Sequence, residues 1–216
     1  MQLRYGKLMM SAIAALAVAG AYAQWTITID QNTGNVFGPT GPLGTAALVQ
    51  TFAGPQPRVY IIPIAGNPYP IVAGDGFPYT AGNSFVTYTV SGSVPIAGVF
   101  ITTSGFVRGN ASVFWSKVVI DNTTNRLLLT FTASFNGSGL GGSDGSIYNA
   151  QFFNFETPSS NFRVTDTITV FALQAPSAND VAFVFQFGQD FVPEPASMLA
   201  LGVGLAGLVG LRCRKK

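Results

Sequence analysis

Residues 126–134 read RLLLTFTAS, and apolar side chains recur at every second position from Leu127 to Ala133. Alternate side chains of an extended chain lie on the same face, so this stretch predicts a β-strand with one apolar face. Residues 181–187, VAFVFQF, repeat the pattern with one Val and three Phe on one face. Such faces are stable only when they pack against a second layer, which indicates an all-β fold.

The rest of the chain between residues 24 and 191 shows the same alternation between clusters of Gly, Pro and Asn, and no stretch of it predicts a capped amphipathic helix. A hairpin is predicted from 112–120 through a turn at 121–125 to 126–134. We therefore predict an antiparallel two-sheet sandwich or jelly roll. The remaining predicted strands are residues 25–30, 47–52, 58–64, 84–90, 98–103, 162–172 and 181–187.

Composition excludes several functions. The chain has 216 residues, of which 48% are hydrophobic and 9% are charged, and it contains no His. A wholly disordered chain is excluded by this hydrophobicity, and Ser-His-Asp and Cys-His catalysis are excluded because His is missing. Between residues 24 and 192, five basic residues stand against eight acidic ones, with no basic run. We therefore expect no nucleic-acid partner.

The first 23 residues predict a secretory signal peptide that forms a short helix and is then cleaved. Arg4 and Lys7 precede an apolar run at residues 8–20, and a small-x-small site follows the run. The protein is therefore expected to be exported. The residues that define the cleavage site are Ala21, Ala23 and Gln24.

The C-terminal end carries a second targeting signal. An uncharged apolar run at residues 196–211 predicts a transmembrane helix, and the prolines on both sides of Glu194 keep the preceding segment extended. Basic residues after the run should stay cytoplasmic, which places the body of the chain outside the membrane. The motif consists of Val192, Pro193, Glu194 and Pro195, and the basic tail contains Arg212, Arg214, Lys215 and Lys216.

This order of Pro-Glu-Pro, apolar helix and basic tail resembles the PEP-CTERM sorting signal of Gram-negative bacteria. The resemblance covers residues 192–216 and implies that an exosortase-type membrane protease removes the helix and tail. It also implies an association with exopolysaccharide or biofilm matrix. We expect a signal peptide at 1–23, a β-sandwich domain at 24–191 and the sorting signal at 192–216. The precursor is expected at the inner membrane, and the product at the cell surface or in the extracellular matrix.

No pattern in the body predicts catalysis. Glycoside hydrolysis needs two carboxylates across a cleft, and Glu156 is the only Glu between the two signals. Asp166 shares a predicted strand face with apolar residues, and if buried it would need Arg163 or Arg126 as its partner. We expect instead that the strand begins after Asp166. The sequence thus predicts an exported structural protein that is not an enzyme, with a glycan-active hydrolase as one alternative.

A calcium site is a second possibility, because calcium takes oxygen ligands from loops. Plain turn residues are the competing interpretation, and no other cofactor is predicted. The candidate ligands are Asp30, Asp121, Asn122 and Asp144.

A carbohydrate-binding, lectin-like module is the main alternative function. Such modules stack sugars on exposed aromatic rings, whereas aromatic residues in strands are more often part of the core. The candidate rings are Trp25, Trp115, Tyr69, Tyr79 and Tyr148.

Overall fold

Antiparallel strands dominate the computed structural model, which describes residues 25–35, 37–38, 41–42, 48–53, 56–62, 71–74, 81–173 and 179–194. This confirms the predicted all-β class. Within these ranges no helix is long and apolar enough to cross a membrane. The predicted signal helix at 1–23 and membrane helix at 196–211 lie outside them. The strands are β1 (Trp25–Asn35), β2 (Phe37–Gly38), β3 (Gly41–Pro42), β4 (Leu48–Ala53), β5 (Pro57–Ile62), β6 (Ile71–Gly74), β7 (Ala81–Arg108), β8 (Ala111–Asp121), β9 (Leu127–Asn136), β10 (Gly145–Ala172) and β11 (Val181–Pro193).

Two 28-residue strands, β7 and β10, each belong to two layers. The first half of β7 pairs with β1 and with the second half of β10, whereas its second half pairs with β11 and with the first half of β10. The β7–β10 register shifts between Asn154 and Asn161, where the paired strands leave one layer and enter the other. Irregularities of this kind bend strands without ending them.

The pairings define the two layers. Layer A contains β1, the first half of β7, the second half of β10, β8 and β9. Layer B contains the first half of β10, the second half of β7, β11, β5 and β4, with β6 beside β11. The prediction of separate strands at 84–90 and 98–103 is wrong, because β7 continues through Pro95 with Val94 and Ile96 both buried.

Aromatic side chains join the layers. The ring of Trp115 in layer A lies 4.4 Å from that of Phe187 in layer B, and Phe162 lies 5.4 Å from Phe191, between ring centroids. All four side chains are almost fully buried. Burying a Phe side chain contributes about 2–3 kcal/mol, so these contacts are a main source of the attraction between the layers.

The predicted β8–β9 hairpin is confirmed. Strand β8 pairs with β9 from Ser112 opposite Asn136 to Ile120 opposite Leu127. Asp121 anchors the turn, because its Oδ1 atom accepts hydrogen bonds from the backbone N–H groups of Thr123 and Thr124 at 2.9 and 2.6 Å. A carboxylate that satisfies turn N–H groups in this way is a common reason for Asp at the start of a turn.

Candidate functional site

A buried ion pair lies inside layer A. Lys117 of β8 and Asp166 of β10 are directly opposite each other in the strand register, and both side chains are 0% exposed. The Nζ atom of Lys117 lies 2.5 Å from Oδ1 of Asp166. The expectation that the strand begins after Asp166 is therefore wrong, since β10 runs through this residue. Its partner is Lys117 and neither Arg163 nor Arg126.

Two further polar side chains complete this buried cluster. Gln189 of layer B donates a hydrogen bond from Nε2 to Oδ2 of Asp166 at 2.6 Å. Its Oε1 atom accepts hydrogen bonds from Nζ of Lys117 and from the hydroxyl of Tyr88. The four residues thus form one network that joins the layers. Buried polar groups need such partners because each unpaired one is costly.

The surroundings of the cluster are buried and aromatic. The Nζ atom of Lys117 lies 5.5 Å from the centre of the Phe187 ring. Burial lowers the pKa of Lys117, although Asp166 acts in the opposite direction. Burial also raises the pKa of the Tyr88 hydroxyl well above its usual value of 10.0. Burial thus works against the charged form of each of these two side chains.

Sequence reasoning missed Lys117, although a signal was present. Lys117 shares its strand face with Val113, Trp115 and Val119, all of which are buried. Asp166 interrupts an apolar face in the same manner. Two opposite charges, each interrupting an apolar strand face, indicate a buried pair, because neither charge is stable there alone.

A second, exposed polar network lies on the outer face of layer B. The Nε atom of Arg58 lies 3.3 Å from Oδ1 of Asp190, and the two side chains are 47% and 26% exposed. The Tyr60 hydroxyl donates a hydrogen bond to the same oxygen at 3.0 Å. Partial burial, together with this hydrogen bond, raises the pKa of Tyr60. Gly188 allows the Tyr60 ring to lie against β11, since an added Cβ would come within 2.6 Å of ring carbon atoms.

Exposed phenyl rings lie at both ends of this network. The strand register aligns one row of residues across β4, β5, β11, β7 and β10. Phe52 and Phe152 at the ends of the row are 49% and 41% exposed. We call these residues the aromatic row: Phe52, Arg58, Asp190, Phe100 and Phe152.

An open groove of about 380 Å³ lies where β9 ends and β10 begins. Asn136, Ser143 and Asp144 supply polar groups to its lining, and Tyr148 stands at the same site with 76% of its surface exposed. Among the candidate sugar-stacking rings, Tyr148 is exposed, and Tyr69 and Tyr79 lie outside the described residues. Trp25 and Trp115 are only 4% and 1% exposed, so these two pack in the core, which is the alternative that the sequence favoured for aromatic residues in strands.

The candidate calcium ligands serve as hydrogen-bond acceptors or donors for other protein groups. Asp30 accepts from Thr89, and Asn122 donates to Asn161. Within the described ranges no cluster of three or more acidic, Cys or His residues occurs. Asp121 also accepts from Ser159, and this hydrogen bond is the main reason why the pKa of Asp121 is lowered.

Asp144 is likewise held by the backbone. Its Oδ1 atom accepts hydrogen bonds from the N–H groups of Ser138 at 2.7 Å and Gly109 at 2.9 Å. These bonds, that from Ser138 first, lower the pKa of the Asp144 carboxyl. The carboxylate therefore anchors the loop that follows β9.

The sorting motif begins inside the sheet. Val192 and Pro193 are the last residues of β11 and lie opposite Gly98 and Ile96 of β7. The N–H of Glu194 donates to the carbonyl of Pro95 at 2.9 Å. The segment is extended, as predicted, and its first residues are paired with β7. The predicted residues Pro195, Arg212, Arg214, Lys215 and Lys216, and the cleavage residues Ala21, Ala23 and Gln24, lie outside the described part of the chain.

Comparison with known protein families finds a match at the C-terminal end of the chain. The chain carries a PEP-CTERM protein-sorting motif at residues 191–215. It is therefore a PEP-CTERM domain-containing exported protein, of the kind made as a membrane-anchored precursor that an exosortase, a membrane protease, processes. No curated protein matches the chain in sequence.

Several solved structures are similar to the chain at low identity. TmCBM61 in complex with beta-1,4-galactotriose is 8% identical, with a TM-score of 0.32 over 80% of this chain and 91% of that one. The CBM36-1 domain of a multidomain xylanase from the hindgut metagenome of Trinervitermes trinervoides is 12% identical, with a TM-score of 0.27 over 77% and 95%. Murine APRIL is 8% identical, with a TM-score of 0.29 over 63% and 99%.

Proposed function

We propose that this protein is a non-enzymatic component of the cell envelope or extracellular matrix that binds exopolysaccharide through the outer face of layer B. The observation that carries the proposal is the aromatic row, in which the Arg58–Asp190 ion pair lies between exposed phenyl rings and Asp190 accepts a hydrogen bond from the neighbouring Tyr60. Export through the sorting motif would place this face where extracellular polysaccharide is present.

The chemistry of this face suits a sugar chain. Pyranose rings present apolar C–H faces, which pack on aromatic rings, and hydroxyl groups, which need charged or amide partners. Phe52 and Phe152 offer the rings, and they are exposed without being part of the core. Arg58 and Asp190 offer a donor and an acceptor already held in place by each other and by Tyr60. Partners fixed before binding lose little entropy when the ligand arrives.

Retention on immobilised exopolysaccharide from the native host tests the proposal. We expect the full chain to be retained, and Arg58→Met to weaken retention by about 10-fold or more, because hydrogen bonds to a charged group contribute about 1.5–3 kcal/mol. Phe152→Ala should weaken retention by several-fold through loss of ring contact, since aromatic contacts contribute about 0.5–1.5 kcal/mol.

Phe114→Ala is the matched control. Phe114 is 43% exposed, like Phe152, but it lies on the outer face of layer A. We expect this variant to bind as the wild type does. Equal loss in Phe114→Ala and Phe152→Ala, or no retention of the wild-type chain, would contradict the proposal. Release of new reducing ends from the polysaccharide would support the hydrolase alternative.

A further inference from the structure

We propose that Lys117 and Asp166 condense to an intramolecular isopeptide bond between Nζ of the lysine and Cγ of the aspartate. The bond would connect β8 to β10 inside layer A. This proposal is independent of polysaccharide binding and concerns only the buried cluster.

Geometry brings the reacting groups together. The two residues are direct partners in the antiparallel register, and Nζ lies 2.5 Å from Oδ1. Both side chains are 0% exposed, so neither can turn away to solvent. Well-oriented groups held together in this way react with effective molarities of about 10⁵–10⁸ M.

The environment supports the nucleophilic form of Lys117. A proton that passes from Nζ to the carboxylate leaves a neutral amine, which is a nucleophile, and a neutral carboxylic acid. Burial lowers the pKa of Lys117 and so supports the amine. The aromatic side chains of Trp115 and Phe187 border the same part of the core, where they exclude water.

The reaction balances without any other reagent. The lone pair of Nζ attacks Cγ and forms the C–N bond. The C–O bond to the protonated oxygen then breaks, and this oxygen leaves as water with a proton taken from the nitrogen. The product is a neutral amide, so the cost of burying two charges disappears.

Gln189 contacts both reacting groups. Its Nε2–H group donates to Oδ2 of Asp166 at 2.6 Å, where negative charge develops as Nζ attacks Cγ. Its Oε1 atom accepts a hydrogen bond from Nζ of Lys117 and thereby orients the amine. The Tyr88 hydroxyl, bonded to the same oxygen, holds the Gln189 amide in this orientation.

A covalent link also suits an exported chain without disulfides. The only Cys of the sequence is Cys213, in the C-terminal tail, so the β-domain itself contains none. Exported domains commonly use disulfides to restrict the unfolded chain. A Lys–Asp bond between residues 49 positions apart would provide the same restriction.

Mass spectrometry of tryptic peptides tests the proposal on the full chain. Trypsin does not cleave after an acylated lysine, so we expect peptide 109–126 to remain uncut at Lys117. It should be joined to the peptide that begins at Val164, with a combined mass lower by one water, about 18 Da. Free peptides 109–117 and 118–126 at their full masses would overturn the proposal.

Two variants and one refolding control sharpen the result. Asp166→Asn should give a linked peptide of the same final mass, because its amide loses ammonia, about 17 Da. Lys117→Met should give peptide 109–126 without the link. The chain kept unfolded in urea should show no link, and the link should form on refolding. A link already present in the chain that never folded would mean that the native site is not responsible. If Lys117→Met does not fold, the wild type and Asp166→Asn still decide the question.

Discussion

Two ion pairs in the described part of the chain have very different surroundings. Lys117 and Asp166 are both 0% exposed, whereas Arg58 and Asp190 are 47% and 26% exposed. Each acid also accepts a hydrogen bond from a further side chain, Gln189 in the core and Tyr60 on the surface. The comparison shows that burial, rather than pairing, decides what an ion pair can do. In the core the pair must satisfy itself or react, and on the surface it remains free to meet a ligand.

The largest difference in stability is expected when the cation of each ion pair is removed in turn. Lys117→Met leaves Asp166 without its cation and removes the proposed bond, so we expect the free energy of unfolding to fall by about 3–5 kcal/mol. Arg58→Met should lower it by no more than about 1 kcal/mol, because solvent replaces the lost partner. Urea denaturation measures both values. Similar losses in the two variants would show that burial does not distinguish the pairs.

A double substitution that removes both buried charges should have the next largest effect. Lys117→Met combined with Asp166→Leu replaces the pair by apolar side chains and leaves no carboxylate without a partner. We expect this double variant to be more stable than Lys117→Met by about 1–3 kcal/mol. The same urea titration checks it. A double variant less stable than the single one would show that the Asp166 carboxylate is well satisfied by Gln189 alone.

Removal of a tyrosine hydroxyl should lower the stability by a smaller amount, and again more in the core than on the surface. Tyr88→Phe removes a buried hydroxyl from Gln189 and should cost about 1–2 kcal/mol, whereas Tyr60→Phe on the surface should cost about 0.5 kcal/mol. The folded-state pKa of Tyr88 is raised above 10.0, so its contribution to stability is present below pH 10 and lost as pH rises above that value. Stability measured from pH 8 to 11 should therefore fall less steeply in Tyr88→Phe than in the wild type.

The smallest expected effect is that of salt. Ionic strength screens exposed charges, with a Debye length of about 3 Å at 1 M salt, but hardly reaches buried ones. The difference in stability between the wild type and Arg58→Met should shrink by a few tenths of a kcal/mol when salt is raised. The difference for Lys117→Met should stay unchanged. Equal salt dependence of both differences would indicate that water reaches Lys117.

The β8–β9 hairpin was predictable because its signals are local. Apolar residues alternate on both sides of a turn that begins with Asp121, and the structure has both strands and the turn in place. The single long strand β7 was not predictable in the same way. Pro95 and the neighbouring glycines resemble a loop in sequence, but pairing with β10 and β11 keeps the chain extended there.

The candidate sites also differ in whether the sequence could reveal them. The sorting motif could be recognised because its residues are consecutive and their order carries the signal. The aromatic row could not, because its five residues come from five strands and become neighbours only through the strand register. Trp115 depends on tertiary structure in the same way, because only its burial in the folded chain decides that this candidate ring belongs to the core.

The amino-acid sequence alone determined the strand class, the β8–β9 hairpin and the export signal at the C-terminal end. These properties depend on alternation, turn residues and consecutive motifs, which act over a few residues. Tertiary structure alone decided that Lys117 meets Asp166 and that Arg58 meets Asp190. Each pair joins residues distant in sequence, so their contact depends on the register of whole strands and on which face of the sheet is dry.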